Sequence, residues 1–424
     1  MLIRNGIIID PEENRTFRGD LLIEEGIIKK IAENGLWEAE IPSQEEVIDA
    51  AGMMVGPGLI DTHVHFRDPG FTYKEDILSG AEAAKKGGYT GIVLMANTKP
   101  CVDHAETLSY VLEKGKQTGI RINSCANVTK GMKGKEITDM EELSEKGAVG
   151  FTDDGVPLLD EHLVREAMKR TAALHKPISF HEENPERITN NGINEGKASA
   201  YYGIAGSPRE AEIDLIERDL KLAGETGAAV VIQHISTEEG VELVRRAKRQ
   251  GTCVHAEATP HHFTLTQEAV ISKGTMAKMN PPLREERDRL AIIEGLKDGT
   301  IDLIATDHAP HAKEEKARGI TEAPSGIIGL ETALSLGIRE LVEKGYLSYP
   351  ELFRRMSLEP AVLYGLPGGS MKEGQAADLV IFCPEEKWKV LSFASRSVNS
   401  PFVGEVLPGV IHATICGGRI VYRA

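Results

Sequence analysis

Short apolar runs recur along the whole chain, and the spacing between them changes twice. Up to about residue 55 they crowd together as LIRNGIIID, GDLLIEEGIIKKIA and EEVIDAAGMMV, broken by Gly and Asn-Gly steps, which predicts strands and turns. Near the C-terminus ADLVIFCP and PGVIHATICGGRIVYRA have the same character. Between them lie GPGLIDTHVH, GIVLMANT, RINSCANV, GAVGFTDD, PISFHEE, AVVIQHIS, CVHAEATP and IDLIATDH. Most are separated by charged segments of helical period, such as EDILSGAEAAKKGG, DEHLVREAMKRTAALH and TEEGVELVRRAKRQG. Near-continuous apolar strands alternating with amphipathic helices predict an α/β fold with a parallel sheet under helices. Eight such units predict a (β/α)8 TIM-type barrel over residues 55–366, with an open doubly wound sheet as the other topology. Residues 1–54 and 367–424 are expected to combine into one small β-sandwich domain that brings the chain ends together.

Composition narrows the class. The chain has 424 residues, 41% hydrophobic and 27% charged, as expected of a globular protein. No apolar run reaches membrane length, and MLIRNGIIIDPEEN lacks the apolar core of a secretory signal, so a cytoplasmic location is expected, with no membrane partner. A net charge of -16 disfavours nucleic acid as a partner. It leaves room for a small anionic substrate, because local basic groups can dominate a pocket. The five scattered cysteines, without CxxC spacing, read as reduced thiols packed as small apolar residues.

Polar residues stand where the central runs end. His63 and His65 close the first, Asn97 the second, Asp153 and Asp154 the fourth, His181 the fifth, His234 the sixth, and Asp307 with His308 the eighth. In a barrel these strand ends converge on one mouth. One strand-end histidine is ordinarily a hydrogen-bonded structural residue. The full set has no such reading, since burying it without a cation would be costly. In His63-x-His65, strand alternation puts both rings on one face with Cα atoms roughly 7 Å apart. Four imidazoles and two carboxylates, with no cysteine nearby, suit zinc, with manganese or cobalt as other fits. Such a donor set serves one or two ions per chain, two being favoured. In an extended FTDD the two aspartates face opposite ways, so only one can enter the mouth. Two such ions would acidify a water held between them and polarise a carbonyl. Asp307 would then carry a proton to a leaving nitrogen. That is hydrolysis of an amide-like bond, or its reverse, with an anionic group gripped by Arg67. No GxSxG elbow or Walker loop offers a competing chemistry.

The stretches DTHVHFRDPG and ATDHAPHAKEEK, with MANTKP, FTDDG, ATPHHF, MNPPLR and GIIGLET in order, carry a resemblance. The chain resembles the amidohydrolase superfamily and, within it, the dihydroorotases of the bacterial separate-chain type. The resemblance implies reversible cyclisation of N-carbamoyl-L-aspartate to L-dihydroorotate plus water, in pyrimidine (UMP) synthesis. It implies His63, His65, His181, His234 and Asp307 as zinc ligands, Asp154 as the bridge, and Asp307 as the catalytic residue as well. His65, Phe66, Arg67, Asn97, Asn280, His311, Ser325 and Gly326 become the substrate-binding set. Arg67, Asn97 and His311 would hold the carboxylate; Asn280 and the Ser325-Gly326 backbone would hold the ring amide and carbonyl groups. Two features depart from the wider pattern. GAVGFTDDGV contains no lysine that could be carboxylated into a longer bridge, and Ser325 stands where relatives more often have Phe or Pro. The resemblance also implies a homo-oligomer, a dimer, with association with aspartate carbamoyltransferase a further option. An allantoinase or hydantoinase, or a noncatalytic companion of the carbamoyltransferase, are the alternatives. His261 and His262 are expected to pack or to support the ligands rather than bind metal. KEEKARG, residues 313–319, reads equally as a flap or as a solvated loop.

Overall fold

Every apolar run named above becomes a strand. In the computed structural model, which describes residues 1–33 and 46–424, β1 (Leu2–Asp10), β2 (Arg15–Glu24), β3 (Ile27–Glu33), β4 (Val47–Asp49) and β5 (Met54–Pro57) come first. The eight central runs supply β6 (Leu59–Val64), β7 (Tyr89–Leu94), β8 (Arg121–Ser124), β9 (Phe151–Thr152), β10 (Ile178–Phe180), β11 (Val230–Ile232), β12 (Val254–Ala258) and β13 (Leu303–Ile304). The chain ends with β14 (Leu379–Lys389), β15 (Val406–Cys416) and β16 (Arg419–Arg423).

The terminal strands join in one sheet, in the order β16-β15-β14-β5-β1-β2-β3, with β4 also on β1. The seam between the two ends of the chain is the antiparallel pair β5–β14, registered Leu379 to Pro57 and Phe382 to Met54. The two halves of this sheet enclose their own core, built from Ile3, Ile8 and Leu21 on one side and Leu379, Ile381 and Ile415 on the other. A sheet with both of its faces in demand closes this way because each strand presents an apolar side that water would otherwise wet.

The central strands run parallel, as their near-continuous burial requires. β6-β7-β8 form one arc and β9 to β13 another. Parallel bridges Ala126–Phe151 and Val64–His308 close the two arcs into a ring. The Asp61 carboxylate strengthens the second closure: it accepts from Thr306 N at 3.1 Å and from His63 N at 3.1 Å. Helices Ile77–Lys86, Glu161–Ala173 and Glu238–Arg249 fall on the charged segments named above, and start where Asp76, Asp160 and Thr237 cap free backbone N–H groups. Among the described residues, no helix is long and apolar enough to cross a membrane.

Candidate active site

Five strand ends bring six donors together at one end of the ring. β6 leads into His63 and His65, β9 into Asp154, β10 into His181, β11 into His234 and β13 into Asp307. His63 Nε2 lies 3.5 Å from Asp154 Oδ1 and 3.6 Å from Asp307 Oδ1. His65 Nε2 is 3.0 Å from Asp307 Oδ1 and 3.4 Å from Asp154 Oδ2. His181 Nδ1 and His234 Nε2 reach Asp154 Oδ1 at 3.6 and 3.8 Å. Asp154 thus faces all four imidazoles. Asp153 turns the other way, taking the N–H of Val128 at 2.9 Å and of Thr129 at 3.2 Å, which settles the parity left open in FTDD. Two overlapping groups, His63-Asp154-His234 and His63-His65-Asp307, each have ligand atoms within 4.8 Å of one another.

The backbone is bent to make this possible. Arg67, His234 and Asp307 adopt positive φ of 58°, 33° and 48°, a conformation that costs a non-glycine residue about 1 kcal/mol or more. Each follows a strand and turns its side chain into the mouth. Such strain persists where the surrounding structure fixes it, and here the ring closure at Thr306 and His308 does so.

The cluster calls for positive charge. Burial alone would lower His63 and His181, yet neighbouring carboxylates raise both, His181 to about 10 through Asp154 and Glu183. Burial would raise Asp154, but His63, His181 and His234 hold it well below the ordinary carboxylate range. His63 Nε2 and Asp154 Oδ1 are also buried without a hydrogen-bond partner while facing each other. Two orphaned ligand atoms, an all-imidazole and carboxylate donor set, and excess negative charge fit a divalent cation.

A cleft of about 320 Å³ opens over this cluster, lined on its far side by Arg67, Asn97, Asn280, Ser325 and Gly326. Arg67 donates to Pro310 O at 3.4 Å, and among the described residues no carboxylate lies within ion-pair distance of it. A guanidinium held beside a buried cluster without a partner is a receptor for an anion. Asn280 Oδ1 is buried and unpartnered, while its Nδ2 meets His181 Nε2 at 3.1 Å. Asn97 ties the two walls: Oδ1 is 3.0 Å from His65 Nδ1, and Nδ2 donates to Asp154 Oδ2 at 3.2 Å.

Two expected substrate residues stand elsewhere. Phe66 alternates with His65 and Arg67, so its ring points into the core, edge-on to His308 and packed so closely on Gly80 that a Cβ there would lie 2.3 Å from it. The expectation that Phe66 binds substrate is corrected to that extent. His311 sits behind Gly326, with Nε2 2.8 Å from Ser325 O; burial and the charges of Arg67, Lys74 and Lys316 push it down to about 2, so it is neutral. His308 accepts from Gly329 N at 3.1 Å and belongs to the scaffold. His262 is fixed between Thr259 Oγ1 and Pro281 O at 2.7 and 3.1 Å. Burial pushes His261 down to about 3, and its Nε2 has no partner.

Sequence reasoning passed over Glu257 and Asn191. Glu257 Oε2 is 3.1 Å from His63 Nδ1, and Oε1 accepts from Thr62 Oγ1 at 2.7 Å. It orients the imidazole from behind. A carboxylate inside the apolar run VHAEA was the available signal. Asn191 lines the cleft and accepts from Ser325 Oγ at 2.8 Å. Nothing in its local sequence distinguishes it from a turn residue.

The profile of the family described as "DHOase: Dihydro-orotase-like" matches residues 52–240. The chain is 54% identical to a dihydroorotase of Clostridioides difficile (strain 630), over 100% of both chains. It is 49% identical to a dihydroorotase of Clostridium acetobutylicum, over 100% of this chain and 99% of that one. Among solved structures, an L-hydantoinase (dihydropyrimidinase) from Arthrobacter aurescens superposes with a TM-score of 0.88 at 27% identity, over 100% of this chain and 96% of that one.

Proposed function

The chain belongs to the dihydroorotase family, and on that premise we propose how its residues carry out the reversible closure of N-carbamoyl-L-aspartate to L-dihydroorotate and water. The observation that carries the reading is an unpaired Arg67 guanidinium in the same cleft as the strand-end His/Asp cluster. A cyclic amide bearing one carboxylate needs both.

Zinc would be held by His63, His65, His181, His234, Asp154 and Asp307, as one ion or two with two favoured, and when bound would acidify a water and polarise the scissile carbonyl. Asp154 faces four imidazoles, which supports it as the carboxylate that two ions would share. Asp307 is the proton carrier. In hydrolysis it takes a proton from the attacking water and gives it to the ring nitrogen as the C–N bond breaks; in closure the same proton travels back. Burial raises Asp307, but its hydrogen bond to His65 and the charges of His63 and His65 hold it below the usual carboxylate range, so it stays an ionised carboxylate whose oxygen lone pairs can take up the proton. Arg67 binds the substrate carboxylate, with Asn97 beside it and neutral His311 behind. The unpartnered Asn280 Oδ1 accepts a ring N–H, and the Ser325-Gly326 backbone borders the ring.

A homodimer, a cytoplasmic location and association with aspartate carbamoyltransferase belong to the same proposal, on family grounds alone. One assay tests the function: purified, metal-loaded protein offered dihydroorotate, allantoin and a hydantoin side by side. Turnover confined to dihydroorotate is the expected result. Preference for either of the others would make the chain a different cyclic amidase, and no turnover of any would make it a noncatalytic companion.

A further inference from the structure

The ATDHAPHAKEEK stretch ends in a lysine that the chemistry above does not use. Lys316 closes the short helical turn Lys313–Lys316 and is only 4% exposed. Its ammonium donates to the carbonyls of Pro324 at 2.9 Å and Gly326 at 3.0 Å, with Lys278 O at 3.4 Å. Lys278, 3% exposed, donates to the carbonyls of Ile320 and Ala323, both at 2.8 Å. Among the described residues, neither lysine has a carboxylate within ion-pair distance. A buried ammonium is ordinarily paired with an acid. Here two like charges lie close together, held only by backbone oxygens, four of them from one short stretch. Burial, with the Lys278 charge beside it, pulls Lys316 down to about 7. Stability alone gives no reason for such an arrangement.

The held stretch contains the far wall of the cleft. Gly326 N donates to Lys278 O at 2.9 Å, which lays the Pro324–Gly326 turn along the chain that leads to Asn280. Gly326 has φ +125°, and a Cβ there would stand 2.8 Å from Ala309 Cβ, so the turn has no slack toward the metal side. On the other flank Ser325 Oγ reaches Asn191. Neither lysine lines the cleft.

We propose that Lys316 and Lys278 are positioning residues for substrate binding, two buried ammonium clamps that hold the Ser325-Gly326 backbone in register with Asn280 across the cleft. Within residues 313–319, Lys313, Glu314, Ala317, Arg318 and Gly319 are exposed, and the buried Lys316 anchors this solvated turn to the wall. The inference rests on the proposed placement of substrate against Ser325, Gly326 and Asn280.

The test uses full-length, metal-loaded enzyme and four variants: Lys316→Met, Lys316→Gln, Lys278→Met and, as a reference, Arg67→Ala. For Lys316→Met the expected result is a KM for N-carbamoyl-L-aspartate raised about tenfold, with kcat within about threefold of the parent and metal content unchanged. Lys316→Gln, which keeps an N–H for the Pro324 carbonyl, recovers part of the lost affinity, and Lys278→Met behaves like Lys316→Met. Should Lys316→Met fail to fold, Lys316→Gln carries the same reading, with a smaller rise in KM. If KM stays at the parent value in the lysine variants while Arg67→Ala raises it, the clamp is refuted and the substrate placement survives. If none of the four moves KM, the placement itself is wrong and the clamp falls with it. A loss of kcat in step with metal content, at constant KM, would also overturn the proposal.

Discussion

The two walls of the cleft are built on different principles. The strand-end wall is a set of opposite charges at fixed positions: six proposed ligands at the ends of five parallel strands, with Glu257 behind His63 and Asp61 holding the ring shut. The loop wall presents a guanidinium without an ion-pair partner among the described residues, Arg67, and an unpartnered amide oxygen, Asn280 Oδ1, carried on segments held by backbone hydrogen bonds. The orphaned atoms of the first wall, His63 Nε2 and Asp154 Oδ1, suit a cation, and those of the second suit a substrate. Damage to the first should therefore remove chemistry, and damage to the second should remove recognition. The sharpest trial is Asp307→Asn. The amide keeps the volume and the contact with His65 but has no basic oxygen pair for a proton. Turnover should fall about 10³-fold or more, with the circular dichroism spectrum and melting temperature near those of the parent. Activity comparable to the parent would remove Asp307 from the proton path.

Arg67→Ala is the matching lesion on the other wall. A charge-assisted hydrogen bond to a carboxylate contributes roughly 2–3 kcal/mol, so KM should rise about 30- to 150-fold. Metal content, measured on the same preparation, should not change, because Arg67 touches none of the proposed ligands. Equal loss of metal and affinity would erase the distinction between the walls.

The strand-end wall was also the more legible from the sequence, for a physical reason. Strand alternation and barrel convergence are strict, so a histidine or aspartate at the end of an apolar run has one place to go. His63, His65, Asp154, His181, His234 and Asp307 all arrive there, and parity separates Asp153 from Asp154 as FTDD requires. The same rule, applied to Phe66, would have sent its ring to the core beside Val64. Only the family resemblance places it among the substrate residues. The loop wall obeys no period. Asn191 reaches the cleft through a turn, and Lys316 looks like one more charge in KEEKARG until the fold buries it. Glu257 lies between these cases, since a carboxylate within a buried strand is itself an anomaly.

Glu257 gives the next trial. Glu257→Gln leaves a neutral amide against His63 Nδ1 and removes the charge that orients the imidazole. Residues in this supporting position typically contribute about 10- to 100-fold in metal affinity. A competition titration with a chelator should show the lower part of that range, because His63 keeps a polar partner. Unchanged affinity would mean that the ring closure alone holds His63 in place.

Ser325→Ala should produce the smallest effect, and its size tests how the loop wall meets the substrate. The hydroxyl donates to Asn191 Oδ1 at 2.8 Å near the surface, and the backbone around it is held independently by Lys278 O and Asn399 Nδ2. A single hydrogen bond in water's reach contributes on the order of 1 kcal/mol or less. KM should therefore rise about two- to fivefold, with kcat unchanged, as Asn191 loses its tether and the backbone stays in place. A rise beyond tenfold would show that the hydroxyl itself grips the ring. The loop wall would then recognise substrate through a side chain rather than through its clamped backbone.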